Sequence, residues 1–201
     1  MHNFNTNFGS LPSVRTAGLS FCYEQKGEIV LLILALLVIL AIAGADQLIK
    51  YWIVQNFELY QEKDFLKIGN LDIMHLHYIE NTGSAFSSFA GHTIFLLIVT
   101  AVGMGACIYG LVRYGKKNKV LFWSLVMILG GALGNMIDRI FRSGAVVDYL
   151  DLKLFNFAVF NFADCFVTVG TILLMIYILF FSDKDTEKEK EKAQEHTDDK
   201  T

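Results

Sequence analysis

The stretch that decides the fold is IVLLILALLVILAIAGA, residues 29–45, which runs directly into Asp46-Gln47-Leu48-Ile49-Lys50. Its 17 uncharged residues are enough for a helix that crosses the hydrocarbon core of a bilayer, which takes about 17–25 residues. At a rise of 1.5 Å per residue the run covers about 26 Å, so Asp46 is expected at the membrane boundary. Lys50 follows one helical turn later and shares a face of the helix with Asp46.

Three more uncharged apolar runs follow, at residues 93–112, 120–137 and 165–182. Hydrophobic residues make up 54% of the 201-residue chain and charged residues only 18%, which leaves too few polar side chains to surround four buried helices of a soluble domain. We therefore predict an all-α integral membrane protein. Its four transmembrane helices are expected at about residues 28–47, 92–112, 119–139 and 160–182, within one membrane domain of residues 28–181.

The two ends of the chain differ from this domain. Residues 1–27 are predicted to be a polar N-terminal extension, because the first apolar run starts too late and is too long for a cleavable signal peptide. Residues 183–201 are predicted to be a charged tail. Residues 182–201 hold eight acids and five bases, while residues 1–181 hold twelve of each. The body therefore has no excess of positive charge, and no nucleic-acid partner is expected. Three cysteines without paired spacing predict neither a disulfide framework nor a zinc site.

The short loop between the second and third runs sets the orientation. It holds four bases in seven residues and no acid: Arg113, Lys116, Lys117 and Lys119. The positive-inside rule places this loop, and with four spans both termini, in the cytoplasm. The outer loops are then residues 54–92 and 138–160. Within the first of them residues 71–79 partly alternate between apolar and polar, which predicts a small extracytoplasmic β-sheet formed by this loop.

Polar residues collect at the outer ends of the predicted helices. Asp46 and Lys50 end the first helix, while the third and fourth helices and the outer loops add a further set: Asn135, Asp138, Arg139, Asn161, Asp164, Thr168, Asn81 and Asp148. Polar and ionisable residues at the edge of spanning helices indicate a functional site. Each has a simpler interpretation, since Asp46 and Lys50 can be an ordinary helical ion pair and the Gly130–Gly134 segment is typical of close helix packing.

Other polar residues are expected to be structural. His75 and His77 alternate along the predicted strand, but the sequence offers no third metal ligand at a matching spacing. Asp151 and Lys153 are expected to be solvated loop charges. Cys165 is expected to pack on a different helix face from Asp164, without a histidine to activate it.

Asp148 and Asp164 are different because each carboxylate lies in an apolar sequence, where an unpaired charge is expensive. If the two side chains face each other they cannot both ionise easily, so they share one proton and titrate as a unit. This is the device of aspartic proteases. One carboxylate takes a proton from water while the protonated partner polarises the scissile carbonyl. Nearby Asn and Arg donors can then stabilise the oxyanion.

Five sequence blocks resemble those of the lipoprotein signal peptidase family, also called signal peptidase II. They occur in the family's order and cover about residues 28–181: Asp46-Gln47-Leu48-Ile49-Lys50, Asn81-Thr82-Gly83-Ser84-Ala85-Phe86, Gly134-Asn135-Met136-Ile137-Asp138-Arg139, Val146-Val147-Asp148-Tyr149 and Phe160-Asn161-Phe162-Ala163-Asp164.

The resemblance implies an aspartic endopeptidase of the bacterial inner membrane. We expect it to be monomeric, with its site near the outer leaflet. Its partners would be membrane lipid and diacylglyceryl-modified prolipoproteins, which it would cut just before the lipidated cysteine. The catalytic pair would be Asp148 and Asp164. Residues that bind substrate or support the site would be Asp46, Lys50, Asn81, Gly83, Asn135, Asp138, Arg139, Asn161 and Ala163. No metal or cofactor is implied.

Two other functions remain possible from the sequence. A small proton-coupled transporter also uses intramembrane acids, but it would place them near the midplane between repeated halves, whereas here they lie at one boundary. A non-enzymatic scaffold would explain the glycine-rich segment but not two carboxylates flanked by Asn donors.

Overall fold

The computed structural model describes residues 14–83, 91–154 and 157–182, together with Gln194, and within the first helix it describes side chains from residue 25 onward. Most of the predicted tail and the first part of the N-terminal extension lie outside these residues. Four helices and three strands follow each other along the chain: α1 (Val14–Asn56), β1 (Glu62–Ile68), β2 (Leu71–Asn81), α2 (Thr93–Tyr114), α3 (Lys119–Phe141), β3 (Val146–Leu152) and α4 (Phe162–Phe180).

All four helices are long and apolar enough to cross a membrane, as predicted. Most of their large apolar side chains are exposed on the outside of the bundle, where a lipid-facing surface requires them. α1 is longer than the predicted span at both ends, because residues 14–27 of the predicted extension and residues 48–56 continue the helix. This last segment carries the helix past the predicted boundary to the sheet.

The buried face of α1 is one narrow stripe. It contains Ala35, Ile42, Ala43, Asp46, Lys50 and Ile53, and Phe57 continues it just past the end of the helix. From Ala43 onward the spacing of three and four residues places these side chains on one side of the helix. The stripe is apolar towards the N-terminus and becomes charged at Asp46 and Lys50. The helix face that packs in the apolar core therefore also buries these two charges.

α3 is the central helix, because it packs against α1, α2 and α4. Three glycines allow this close approach, as the sequence indicated. A Cβ atom at Gly130 would lie 2.9 Å from Ile42 of α1, and one at Gly131 would lie 2.3 Å from the carbonyl oxygen of Ala163 in α4. A Cβ at Gly134 would lie 2.6 Å from the Asp46 carboxylate. Small residues therefore bring three backbones together around the polar end of the stripe.

The sheet is antiparallel with the order β1-β2-β3, and its third strand was not predicted. β1 and β2 form a hairpin around Gly69 and Asn70, whereas β3 comes from the connection between α3 and α4. The sequence placed the whole sheet in the connection between the first two helices. That prediction was incomplete, since residues 146–152 read VVDYLDL, where pairs of apolar residues separate the two aspartates and no strict alternation appears.

A second apolar core fastens the sheet to the end of α1. It contains Ile53, Phe57, Tyr78, Val147 and Tyr149. Since neighbouring side chains of a strand point to opposite faces, Asp148 points away from this core. We refer to the end of the helix bundle where the sheet lies as the sheet-side end.

A Gly131→Ala substitution tests the close contact between α3 and α4. The added methyl group would collide with the α4 backbone, so we expect the free energy of unfolding to fall by about 1–3 kcal/mol. Thermal unfolding in detergent measures this loss. Gly103→Ala in α2 is the matched control, because a Cβ there meets nothing within 4 Å. Equal melting temperatures for the two variants would contradict this packing.

Candidate active site

The Lys50 ammonium is the centre of a buried polar cluster at the sheet-side end. Its Nζ lies 2.8 Å from a carboxylate oxygen of Asp46 and 2.8 Å from one of Asp138. It also donates a hydrogen bond to Oδ1 of Asn135 at 3.0 Å. Lys50, Asp46 and Asp138 have no exposed surface. All three ammonium donors thus have an acceptor, which is the condition for burying a lysine at an acceptable cost.

The two aspartates of this cluster also hold the backbone around the site. Asp46 accepts a hydrogen bond from the Ala163 amide of α4 at 3.1 Å. Asp138 accepts one from the Val147 amide of β3 at 3.2 Å. Asp46 therefore fixes the residue that precedes Asp164, and Asp138 fixes the residue that precedes Asp148.

The side chains of Asn135 and Asn161 connect the buried cluster to Asp148 and Asp164. Asn135 donates from Nδ2 to Asp164 at 2.7 Å. Asn161 donates from Nδ2 to Asp148 at 2.7 Å and to Oδ1 of Asn135 at 3.0 Å. Oδ1 of Asn135 thus receives both Lys50 and Asn161, which fixes the orientation of its amide towards Asp164.

Asp164 is positioned by the start of α4. Asn161 caps this helix by accepting a hydrogen bond from the Asp164 amide, and the Asp164 carboxylate accepts one from the Asn161 amide at 3.0 Å. This reciprocal capping box fixes the rotamer of Asp164. The residue that caps the helix is the same one that binds Asp148, so one asparagine sets the relation between the two carboxylates.

Asp148 lies on β3 and is almost completely buried. Its second carboxylate oxygen accepts a hydrogen bond from Asn81 at the end of β2, at 3.0 Å. Burial, together with the nearby Asp164 carboxylate, raises the pKa of Asp148 to about 7, although the amides of Asn81 and Asn161 lower it. A carboxyl with this pKa can hold a proton near neutral pH.

Arg139 extends the site towards the loop that follows β2. Its Nη2 atom donates to the carbonyl oxygen of Gly83 at 3.0 Å, while its buried Nε has no hydrogen-bond partner in the described parts of the chain. Gly83 in turn donates its amide to Asn81. The guanidinium therefore stands beside both carboxylates with donor capacity left. Ser84, Ala85 and Phe86 of the same sequence block lie outside the described residues.

A cavity of about 670 Å³ opens beside the two aspartates. Asp148 and Asp164 both line it, as do Asn81, Asn135 and Arg139. The remaining wall is largely apolar and comes from α2, α3, α4 and residues 157–160. The structure thus brings the sequence-predicted residues together around one cavity. Asp46, Lys50 and Asp138 lie behind its wall. Side chains of the site form hydrogen bonds with the backbone of Gly83 and of Ala163.

Three features of the site were not predicted from the sequence. Gln47 donates to Asp138 at 3.2 Å and to the carbonyl of Gly134 at 3.1 Å. Arg142 donates from Nε to Asp138 at 3.2 Å. Cys165 lines the same cavity as Asp164, which its expected packing on a different helix face did not indicate. Gln47 lies within the first sequence block, and Arg142 follows Asp138 by four residues, which is the spacing of a helical ion pair.

The sheet carries two clusters of histidine and carboxylate side chains that the sequence also did not reveal. Their ligand atoms lie close enough to hold a metal ion: Glu62, His77 and Asp151 in one group and Asp64, Asp72 and His75 in the other. Apart from Asp72, which shares β2 with His75, the carboxylates come from neighbouring strands, so sequence spacing did not show them. Lys153 and Lys67 already bind carboxylates of the two groups, and hydrogen bonds from Lys153 and His75 lower the pKa of Glu62 to about 2. Asp151 and Lys153 are therefore ion-paired rather than simply solvated.

Comparison with known proteins gives a consistent result. A family model described as signal peptidase (SPase) II matches residues 37–180. A lipoprotein signal peptidase of Lactobacillus johnsonii is 38% identical over 154 residues, which cover 77% of this chain and 94% of the relative. Another from Clostridioides difficile is 40% identical over 153 residues, covering 75% and 98%. One from Lactococcus lactis is 42% identical over 154 residues, covering 77% and 97%.

A solved structure of a bacterial membrane enzyme has the same fold. It superposes with a TM-score of 0.65 at 28% identity and covers 77% of this chain and 90% of that one. The described helices and the sheet thus form the fold of a multi-pass membrane enzyme. Because the family model matches well over half of the chain and these relatives align over nearly their whole length, the chain belongs to the signal peptidase II family of membrane peptidases.

Proposed function

We propose that this peptidase is an aspartic endopeptidase that removes the signal peptide from diacylglyceryl-modified prolipoproteins by cutting before the lipidated cysteine. The observation that carries the proposal is the position of Asp148 and Asp164. They line one cavity and are bridged by the Asn161 side chain and backbone. The names of the related lipoprotein signal peptidases support this substrate class.

The charges of the site support a single proton on the pair. Asp46 and Asp138 are matched by Lys50 and Arg142, with which they form ion pairs. Arg139 stands beside Asp148 and Asp164. One proton on the pair therefore makes the whole group neutral, which is the cheapest state at a poorly hydrated site.

In the proposed reaction Asp148 is the protonated member and Asp164 the ionised one. Asp164 takes a proton from a water molecule, whose oxygen attacks the carbonyl carbon of the scissile bond. Asp148 donates its proton to the carbonyl oxygen, and Arg139 stabilises the charge that develops there. Collapse of the tetrahedral intermediate breaks the C–N bond, returns the hydroxyl proton to Asp148 and transfers the Asp164 proton to the leaving amine. Both carboxyl groups then return to their starting states.

We infer that the site lies near the outer leaflet of the bacterial inner membrane, with both termini in the cytoplasm and the sheet outside. The basic connection between α2 and α3 lies at the opposite end of the bundle from the sheet. There Lys116 forms an ion pair with Glu28, at the start of the first apolar run. Positive charge at this end matches the cytoplasmic side of a membrane protein. A site at the sheet-side end can receive a substrate whose cysteine carries acyl chains in the bilayer.

The family assignment favours this peptidase over the transporter that the sequence left open. The arrangement of charge agrees, because the aspartates of the site lie at one end of the bundle and not at its middle. We expect the protein to act as a monomer, since one chain supplies every residue of the proposed site.

Removing either carboxyl group tests the proposed roles. Asp148→Asn and Asp164→Asn should each lower kcat at least about a hundredfold on a diacylglyceryl-modified lipobox peptide, because no acid–base pair remains. The asparagines keep the side-chain shape, so membrane insertion and melting temperature should change little. Asp151→Asn on the sheet is the matched control and should keep full activity. Substantial turnover by either dyad variant would remove that residue from the mechanism.

The pH dependence tests the assignment of the proton to Asp148. Its pKa of about 7 means that the proton is present below this pH and is lost above it. The site then holds two carboxylates and no acid, so kcat/KM should fall about tenfold per unit once the pH exceeds this pKa. A rate that stays constant to about pH 9, in protein that remains folded, would contradict the assignment.

A further inference from the structure

The cavity beside the aspartates continues as a groove between two helices. α2 and α4 both pack on α3 but make little contact with each other in the described chain. α2 contributes Leu96, Val99 and Thr100 to the cavity wall, and α4 contributes Val167, Thr168 and Val169 below Asp164. The groove is thus apolar except for one threonine on each side.

Neither of these threonines has a hydrogen-bond partner for its hydroxyl among the described residues. Thr171 shows the usual alternative, because its hydroxyl bonds to the Val167 carbonyl one turn earlier at 2.7 Å. A threonine in a spanning helix normally satisfies its hydroxyl in this way. Thr100 and Thr168 do not, and both line the cavity. Thr168 is exposed and Thr100 half-buried along the groove, so both hydroxyls are open to a ligand. Where the groove meets hydrocarbon an unpaired hydroxyl is costly, which indicates a ligand with a polar group at this position.

The two hydroxyls lie at similar depth. Thr168 follows the start of α4 at Phe162 by six residues, about 9 Å along the axis, and Thr100 follows the start of α2 at Thr93 by seven, about 10 Å. Both helices begin at the sheet-side end. Thr168 also follows Asp164 by four residues, which places it about 6 Å deeper than the carboxyl group. The ligand should therefore carry a hydrogen-bond acceptor about 6 Å from the reacting bond.

We propose that Thr168 and Thr100 bind the ester carbonyls of the substrate's diacylglyceryl group and so make this groove specific for the lipidated cysteine. This inference rests on the proposed function. In such a substrate each ester carbonyl is about seven or eight covalent bonds from the cleaved nitrogen, through the cysteine side chain, its thioether and the glyceryl carbons. Folded or extended, this linker reaches on the order of 6–9 Å. The acyl chains beyond the esters then lie along Val99, Val167 and Val169 towards the bilayer.

The test compares two lipobox peptides of identical sequence, one with a diacylglyceryl ester group and one with the corresponding dialkyl ether. Thr168→Val keeps the shape of the side chain and removes its hydroxyl. For the ester peptide we expect KM to rise about 2- to 12-fold with little change in kcat, as for loss of one neutral hydrogen bond. For the ether peptide, which lacks the carbonyls, wild type and Thr168→Val should have the same KM. Thr100→Val should behave in the same way, and Thr168→Ser should restore the wild-type value.

Thr171→Val is the matched control, because it removes a threonine hydroxyl from the same helix outside the cavity, and it should not change KM for either peptide. If Thr168→Val raises KM equally for both peptides, the side chain acts by packing alone, and that result would overturn the inference. An unchanged KM for the ester peptide would do the same. If the wild-type protein cleaves neither peptide, the proposed function itself fails, and this inference fails with it.

Discussion

The burial of one lysine ammonium is the constraint on which the rest of the structure depends. Lys50 has no exposed surface and uses all three donors on Asp46, Asp138 and Asn135. Leaving such a group with a missing partner costs about 3–5 kcal/mol, so α1 and α3 must keep their relative position. The same requirement explains Gly134, whose missing side chain leaves room for the Asp46 carboxylate. The close packing at Gly134 and the ion pair between Asp46 and Lys50 thus both follow from the burial of this lysine.

The consequences extend from this cluster to the proposed catalytic pair. Asp46 and Asp138 accept amide hydrogen bonds from Ala163 and Val147, each next in sequence to one of the pair. The carboxyl groups are therefore held from two sides, by the backbone beside them and by asparagine side chains in front. A peptidase site needs this rigidity, because its acid and base must be in place before the substrate arrives. The glycines, the buried ions and the capped helix together supply it.

Features that depend on neighbouring residues in the sequence could be predicted, whereas those that depend on contacts between distant residues could not. The spanning helices were predictable because 17–20 uncharged residues have few other uses, and the proposed site residues fell in recognisable blocks. β3 was not, because one of its faces packs in the apolar core at the end of α1 and the other lines the cavity, so it lacks an alternating pattern. The partners of Gln47, the cavity-facing position of Cys165 and the free hydroxyls of Thr100 and Thr168 depend on how helices rotate about their axes. Side chains far apart in sequence set that rotation.

The central claim is that the two aspartates hold one proton between them and that Asp148 carries it. Infrared difference spectroscopy of the membrane-embedded protein tests this most directly, because a buried protonated carboxyl group has its own C=O stretching band. We expect one such band below neutral pH, which disappears with a midpoint near the Asp148 pKa of about 7. The band should be absent in Asp148→Asn and present in Asp151→Asn. A band that persists unchanged in Asp148→Asn, or no titrating band in the wild-type protein, would contradict the account.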